Sequence, residues 1–214
     1  MPALPPPSSD SIHRHDRTAL RVIGVLALVG AAAALIGAVV SALLPVLSDQ
    51  GLTVELLLAP GATVGDHAEL APAIRSITPE SAVVTLEAST LSGGAVALLL
   101  IERALSGIIA TVVGAALGYT LLRIARGEAF HRSLFAVTVA VGAALSIGTI
   151  LAVGLGGLGR MMAAFELNEL LGGERFLPGF TADPTVVLIG FAVLGLAYVF
   201  RIGERLQRET AGLV

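Results

Sequence analysis

Residues 154–159 carry the pattern by which many enzymes bind a dinucleotide. They read G-x-G-x-x-G, and Glu174 follows at about the distance of the acid that hydrogen-bonds the ribose. In that chemistry the glycines let the backbone approach a pyrophosphate, and the pattern must follow a strand and open a helix. Here it lies at the end of an apolar run. We therefore interpret these glycines as positions where helices pack closely or where the helix loosens.

Two groups of residues contain side chains of the kind that bind metal ions. His13 and His15 lie in a proline- and serine-rich stretch without further ligands nearby, and His67 lies between Asp66 and Glu69. The chain has no cysteine, which excludes disulfides and thiolate metal sites. We interpret the two histidines as part of a solvated tail and the group at His67 as part of a solvated loop. The sequence therefore predicts no metal site.

Glu102 and Arg103 interrupt an otherwise apolar stretch. Either the two residues form an ion pair inside the membrane, which would indicate a functional site, or their side chains extend to the lipid headgroups. Arg103 lies about 20 residues before Arg123, which is about the length of one helical crossing, so we favour the outer interface.

The other polar residues of the apolar runs are mainly hydroxyls, which in membrane helices usually bond their own backbone or a neighbour. These residues are Ser41, Ser106, Thr111, Tyr119, Thr120, Thr138, Ser146 and Thr149. The sequence therefore predicts no catalytic, cofactor-binding or metal-binding residue, and no enzyme activity.

Long apolar runs are the main elements that the sequence predicts, so they would position any functional side chain. Of the 214 residues, 55% are hydrophobic and 14% are charged, against about 25% charged residues in soluble domains. Residues 105–122 and 134–158 carry no charge, and Arg123, Arg126 and Arg132 lie between them. Each run is near the roughly 20 residues that cross a bilayer, and short arginine-rich loops stay in the cytoplasm. The two runs are predicted to form a membrane hairpin.

The predicted fold class is an all-α membrane protein with four transmembrane helices and a small extracytoplasmic β-containing insertion between helices 1 and 2. The first apolar run resembles a signal peptide, but it exceeds the roughly 7–15 apolar residues of such peptides, so we interpret it as an uncleaved span. The predicted domains are a disordered cytoplasmic tail at residues 1–18 and a membrane domain at residues 19–214, with spans at about 22–46, 100–123, 133–158 and 184–201.

Residues 48–93 are predicted to form the extracytoplasmic module. Residues 52–56 and 83–87 have the β-branched composition of strands, and residues 66–77 are either a helical turn or a third strand. Two strands alone are marginally stable in water, so they must pack against the outer ends of the helices.

Residues 159–183 are predicted to be an outer amphipathic extension and loop, with the extension serving as a floor for the strands. Gly172 and Gly173 are predicted to end the extension, and Asp183 with Pro184 to begin the last helix. Two ridges of small residues are predicted to let neighbouring helices approach closely. One ridge is Gly30, Ala34 and Gly37, and the other is Ala110, Gly114 and Gly118.

Charges divide between the two predicted sides of the membrane. Nine of the 13 arginines fall in the predicted inner segments, and eleven of the 16 acids fall outside. This asymmetry is typical of an even number of spans with both termini inside. We therefore predict a multi-pass protein of the cell (inner) membrane with both termini cytoplasmic.

Residues 127–130, G-E-A-F, and the final segment at residues 199–214, V-F-R-I-G-E-R-L-Q-R-E-T-A-G-L-V, resemble motifs of one bacterial family. The first is similar to G-x-P-F, with Ala129 in place of the proline, and the second to V-F-R-x-G-x-x-L-Q-x-[DE]-T-x-G-L-V. That four-span membrane family is named as a domain of unknown function, number twenty-nine seventy-five. The resemblance implies an inner-membrane protein, sometimes encoded beside a small helix-turn-helix regulator. It implies no functional residues.

The sequence favours a non-enzymatic regulatory or partner-binding membrane protein. Its partners would be the lipid bilayer and a cytoplasmic protein at the C-terminal segment, with no nucleic acid and no cofactor, and homo-oligomerisation through the glycine ridges is left open. The alternative is a small transporter or channel subunit, with a water-lined path through Thr111, Thr120 and Thr138.

Overall fold

The computed structural model describes residues 9–47, 51–61, 74–78, 80–126 and 132–211, which are mostly helical with a small sheet. In chain order the elements are α1 (Ser9–Leu47), β1 (Leu52–Leu58), β2 (Ile74–Ile77), β3 (Ser81–Leu86), a 3₁₀ turn (Ala88–Thr90), α2 (Gly93–Ala125), α3 (Arg132–Ala143), a π-helical segment (Ala144–Gly148), α4 (Thr149–Leu171), β4 (Phe176–Leu177) and α5 (Thr185–Ala211).

Three helical stretches in the described part of the chain are long and apolar enough to cross a membrane. They are Asp16–Pro45, Gly93–Ala125 and Ser133–Leu171, with 30, 33 and 39 residues. The apolar part of α5, Thr185–Val199, is shorter; at about 1.5 Å per residue it is roughly 22 Å long, against a hydrocarbon core of about 30 Å. The predicted first three spans therefore lie in helices of sufficient length, whereas length alone does not establish the fourth.

The N-terminal helix begins earlier than the sequence predicted. α1 starts at Ser9, so the prediction of a disordered tail at residues 1–18 is wrong for residues 9–18, while residues 1–8 lie outside the described residues. No proline or glycine stands between Ser9 and Gly24. Extending an existing helix costs far less than nucleating one, so the apolar span prolongs the helix toward the N-terminus.

The chain divides into two compact units. The helix unit contains the described residues of Met1–Leu35, Ile108–Ser146 and Val187–Val214, and the sheet unit contains those of Ile36–Gly107 and Ile147–Val186.

The four described strands of the sheet unit form one sheet in the order β2-β3-β1-β4, with antiparallel neighbours throughout. Alternate residues of β1 and β3 are buried, as expected when one face of an antiparallel sheet packs on a core and the other faces water. The predicted strands at residues 52–56 and 83–87 are confirmed. Of the two alternatives for residues 66–77, a strand is found at Ile74–Ile77, and residues 62–73 lie outside the description.

Helices α2 and α4 supply the surface under this sheet. The buried cluster contains side chains from both helices together with β1, β3 and Phe176 of β4. The helix residues in it are Ala95 and Leu99 of α2, and Ala163, Ala164 and Leu167 of α4. The prediction that the extension after residue 159 is a floor for the strands is therefore confirmed.

The end of α4 also holds β4 in place. Gly172 adopts the left-handed conformation, with φ at 64°, and its N–H donates to the last carbonyls of the helix, so the predicted glycine cap is confirmed. The Asn168 side chain hydrogen-bonds the backbone of β4 at Phe176, as a neighbouring strand would. Its Nδ2 donates to the Phe176 carbonyl at 2.8 Å, and its Oδ1 accepts from the Phe176 N–H at 2.9 Å.

In the helix unit, α1 and α2 pack through small residues. A Cβ added at Gly118 would lie 2.6 Å from Leu28 Cγ and 2.8 Å from the Gly24 carbonyl oxygen, and one added at Gly114 would lie 3.0 Å from Ala31 Cβ. The predicted packing role of Gly114 and Gly118 is confirmed.

The prediction that the other ridge, on α1, packs against a neighbouring helix is wrong for the contact between α1 and α2. A Cβ at Gly30 or Gly37 would meet no described atom within 4 Å. Residues 24, 28 and 31 follow the three- and four-residue spacing of one helix face, and Gly30 and Gly37 fall outside that face.

A π-helical segment follows α3, which the apolar pattern did not predict. Ser146 is fully buried there, and its hydroxyl donates to the Gly142 carbonyl at 2.7 Å. Gly190 of α5 packs against this segment, because a Cβ at Gly190 would lie 2.5 Å from the Ser146 nitrogen. A bulged turn and a glycine together therefore bring α5 against the backbone of its neighbour.

We predict that Gly118→Ala destabilises the protein by about 1–3 kcal/mol, because the new methyl group has no room between α1 and α2. The matched variant Gly30→Ala should be neutral or stabilising by about 0.5–1 kcal/mol, since alanine favours the helix and the position is open. Thermal unfolding in detergent measures both. Equal shifts for the two variants would contradict this packing.

Capping at the start of α5 is predicted to depend on pH. The Asp183 carboxylate accepts hydrogen bonds from the Thr185 side chain and then from its backbone N–H, the latter at 2.9 Å, and these lower the pKa of Asp183. The folded pKa lies below the unfolded value. Capping is therefore complete above the unfolded pKa and is lost as the pH falls through the folded one.

Amide exchange at Thr185 measures this effect. We compare each exchange rate with the intrinsic rate of an unprotected amide at the same pH, which gives the protection of the Thr185 amide. Acid should lower this protection in the natural protein but not in Asp183→Asn, whose amide oxygen caps without titrating. An identical acid response in the two proteins would assign the effect to another group.

Candidate functional site

Helices α2 and α4 bring three charged side chains together in the sheet unit. Glu102 and Arg103 come from α2, and Arg160 comes from α4. The Arg160 Nη2 lies 2.5 Å from Glu102 Oε1, and the two side chains are only 25% and 19% exposed. Partial burial reduces screening by water and salt, so the attraction between these two charges is stronger than in a fully exposed pair.

The glycines of residues 154–159 create the room for this ion pair. They lie inside α4, where they neither follow a strand nor open a helix. A Cβ at Gly156 would overlap the Glu102 carboxylate, and one at Gly159 would lie 3.0 Å from Leu99 Cγ. The interpretation that these glycines allow close helix packing is confirmed for Gly156 and Gly159, whereas a Cβ at Gly154 would meet no described atom within 4 Å.

Arg103 connects α2 to the sheet. Its Nη2 donates to the Thr53 carbonyl of β1 at 2.6 Å. The β4 strand pairs with β1 only at Leu57 and Leu58. Arg103 therefore supplies a donor to β1 beyond the point where β4 ends.

These groups line one cleft of about 190 Å³. Its walls are Thr53, Val54 and Glu55 of β1, Leu99, Glu102, Arg103 and Ser106 of α2, and Arg160 of α4. Pockets for drug-sized molecules are usually about 300–1,000 Å³. This cleft therefore accommodates a small polar group rather than a nucleotide-sized ligand.

The water-facing side of the sheet continues the polar surface beside the cleft. Ser81 Oγ donates to Glu55 Oε1 at 2.9 Å, and Arg75 Nε donates to Thr85 Oγ1 at 3.2 Å. Thr85 also lies opposite Thr53, with their hydroxyl oxygens 3.4 Å apart. Cross-strand polar pairs of this kind stabilise an exposed sheet face.

Several hydroxyls of the apolar helices bond backbone carbonyls, as predicted. The donors and acceptors are Ser41 to Ala38, Thr138 to Leu134, Ser146 to Gly142, and Thr111 of α2 to Ala31 of α1. Tyr119 instead donates to Ser133 Oγ at 3.0 Å. These bonds satisfy hydroxyls within the helices or between neighbours.

Of the residues considered for metal binding, His13 and His15 lie in the first two turns of α1. Asp66, His67 and Glu69 lie outside the described residues. No group of three or more His, Cys, Asp or Glu residues close enough to hold a metal ion occurs within the described ranges.

Sequence reasoning identified Glu102 but missed its partner. Arg160 lies 58 residues further along the chain, and no spacing rule links residues that far apart. The one available signal was the glycine cluster immediately before Arg160, which indicated that a neighbouring helix approaches there.

Comparison with protein-family profiles, curated proteins and solved structures gives no match for this chain. The resemblance to the four-span family is neither supported nor refuted by these comparisons.

We predict that Gly156→Ala destabilises the sheet unit by about 1–3 kcal/mol, because its methyl group displaces the Glu102 carboxylate. In a Glu102→Ala background the same substitution should cost much less, since the overlapping group is gone. A double-mutant cycle measured by thermal unfolding gives this coupling, with about 0.5–3 kcal/mol expected. Gly154→Ala is the control, because no described atom lies within 4 Å of a Cβ there. Additive effects at Glu102 and Gly156 would contradict the contact.

Proposed function

We propose that this chain is an integral inner-membrane protein that crosses the bilayer four times, binds a ligand or partner and has no catalytic activity. Support comes first from its surface. Val22, Leu26, Val29 and Ile36 of α1 are each more than half exposed. Surface of this kind is costly in water and favourable in hydrocarbon, so lipid is the expected surrounding of these helices.

The observation that carries the orientation is that arginine-bearing segments of four helices meet in the helix unit. Gly24 of α1, three residues after Arg21, lies against Leu121 and Leu122 near the end of α2. The Tyr119 hydroxyl reaches Ser133 at the start of α3. The segments that carry Arg21, before Gly24, and Arg123, after Leu122, therefore lie together.

Arg201, in the last predicted inner segment, lies at the same end. The Arg201 guanidinium of α5 lies 5.6 Å from the ring centroid of Phe135 in α3, and Arg123 lies 5.3 Å from the Tyr119 centroid. Both distances fit cation–π contacts. Arginines concentrated at one end favour placing that end, and both termini, in the cytoplasm.

Four crossings require α5 to span with a short apolar segment. Local thinning of the bilayer and extension of Arg201 toward the headgroups accommodate a short helix at modest cost. The contact of Gly190 with Ser146 in the π segment, and of Leu194 with Gly142 in α3, supports membership in the same bundle.

The proposed binding parts lie toward the two sides of the membrane. The sheet unit offers the cleft between β1, α2 and α4 outside, and the C-terminal segment from Arg201 offers a basic helix for a cytoplasmic partner or anionic lipid. The transporter alternative has less support, because the Thr111 and Thr138 hydroxyls are bonded to backbone carbonyls rather than lining a path for water.

Single cysteines test the orientation, since the natural chain has none. We expect a membrane-impermeant maleimide to label Glu80→Cys in intact cells made permeable only at the outer membrane. Arg126→Cys should react only after the inner membrane is opened. The cysteine-free protein is the background control. Labelling of both positions from the same side, or recovery of the chain in a detergent-free soluble fraction, would overturn the proposal.

A further inference from the structure

One edge of β1 is open where it borders the cleft between β1, α2 and α4. β4 pairs with β1 only at Leu57 and Leu58. Nearer the start of β1, the Thr53 carbonyl accepts a hydrogen bond from Arg103 of α2. Between these two points, β1 has no neighbouring strand on this side within the described ranges.

The geometry of β1 directs the Glu55 backbone toward this open edge. Backbone groups of successive residues in a strand point alternately to its two sides. The Leu58 N–H donates to the residue before β3, and the Ala59 N–H donates to the residue before β4. The register of β1 with β3 is regular. Glu55, four residues before Ala59, therefore directs its N–H and its carbonyl to the β4 side, where β4 has ended.

The charges at the cleft leave one positive group in excess. Glu102 is paired with Arg160, whereas Arg103 contacts no carboxylate within the described ranges. The Glu55 carboxylate lies on the water-facing side of the sheet, where it accepts from Ser81 of β3. Glu55 therefore contributes its backbone to the open edge, and Arg103 contributes a charge that no contact neutralises.

These two groups are both hydrogen-bond donors, which is the arrangement that an oxyanion requires. A guanidinium has five N–H donors, and Arg103 uses one of them at the Thr53 carbonyl. Alternate residues of a strand are roughly 6–7 Å apart. A phosphate whose oxygens accept at about 2.7–3.2 Å therefore reaches both the guanidinium beside Thr53 and the Glu55 N–H. Guanidinium and phosphate form strong, often bidentate pairs.

The open edge is too short for an added strand. Peptides that extend a sheet depend on a series of main-chain hydrogen bonds along its edge. Here Arg103 occupies the Thr53 carbonyl and β4 begins to pair at Leu57, which leaves the Glu55 backbone between them. The cleft of about 190 Å³ therefore suits a compact anion better than a peptide.

We propose that this cleft binds the phosphate of an anionic phospholipid through the Arg103 guanidinium and the Glu55 N–H. Apolar surface on the same two helices supports a lipid, because Ile101 of α2 and Leu158 of α4 are 44% and 51% exposed. The excess positive charge favours an anionic headgroup over one that also carries an ammonium. Free phosphate has the same chemistry and is the competing source. This inference rests on the proposed placement of the chain in a membrane.

Native mass spectrometry of the full chain in detergent tests the role of Arg103. The added lipids are phosphatidylglycerol and phosphatidylcholine with matched acyl chains, and the natural protein should prefer phosphatidylglycerol. Arg103→Gln should weaken phosphatidylglycerol about tenfold, which is the scale of one lost hydrogen bond to a charged group. Arg103→Lys keeps the charge and should retain most of the binding.

Two control variants change charges that the proposed site does not use. Arg75→Gln removes an exposed arginine of the sheet outside the cleft lining. Glu55→Gln removes the carboxylate but keeps the backbone N–H and an acceptor for Ser81. Both should retain the preference for phosphatidylglycerol. Unfolding temperatures close to that of the natural protein establish that each variant is folded.

Amide exchange tests the second donor. Phosphatidylglycerol should increase the protection of the Glu55 amide in the natural protein, because the bound phosphate accepts its N–H, and phosphatidylcholine should not. The Val54 amide is the internal control, since it faces β3 and not the open edge. In Arg103→Gln the added protection at Glu55 should be lost.

Equal affinities of the natural protein for the two lipids, or an unchanged phosphatidylglycerol affinity in Arg103→Gln, would overturn the proposal. Unchanged exchange at Glu55 would refute the two-donor site. Competition with inorganic phosphate separates the sources: retention of the lipid supports the headgroup, and displacement at similar concentrations refutes it in favour of the free anion. Membrane fractionation and cysteine labelling do not depend on lipid preference, so failure of the proposed function is detected separately.

Discussion

The close approach of α2 and α4 at Glu102 and Gly156 is the contact on which the sheet unit depends. A side chain at position 156 would occupy the place of the Glu102 carboxylate, and the Arg160 guanidinium is within reach only because the two helices are this near. The same approach brings Leu99 against Gly159. Small residues thus permit the contact, and the ion pair fixes its position.

Once the two helices are together, they form an apolar surface that a small sheet alone lacks. The buried faces of β1 and β3 pack on α2 and α4, while their other faces carry hydrogen-bonded polar side chains. Further ties hold the edges: Glu166 of α4 accepts the Ser92 N–H at 2.7 Å just before α2, and Asn168 holds β4. The sheet is thereby stabilised by long-range contacts rather than by strand pairing alone.

The helix unit also relies on small residues at its helix contacts. Gly114 and Gly118 admit α1, and Gly142 and Gly190 admit the contact between α3, the π segment and α5. Burial of apolar surface gives no driving force between helices in lipid, so close backbone packing and satisfied hydroxyls must provide it. In the proposed membrane setting, this accounts for the glycines within these helices, which disfavour helices in water.

The sequence by itself determined the kinds of elements and many of their ends. Charge-free runs predicted the long helices, β-branched alternation predicted β1 and β3, and Gly172 and Asp183 predicted an end and a beginning. These features depend on interactions within a few residues of the chain. Only the tertiary structure decided that Arg160 pairs with Glu102, that Gly30 faces away from α2 while Gly118 faces α1, and that a π segment receives Gly190. Those outcomes depend on which helix faces meet across distant parts of the chain, and local spacing carries no information about the partner.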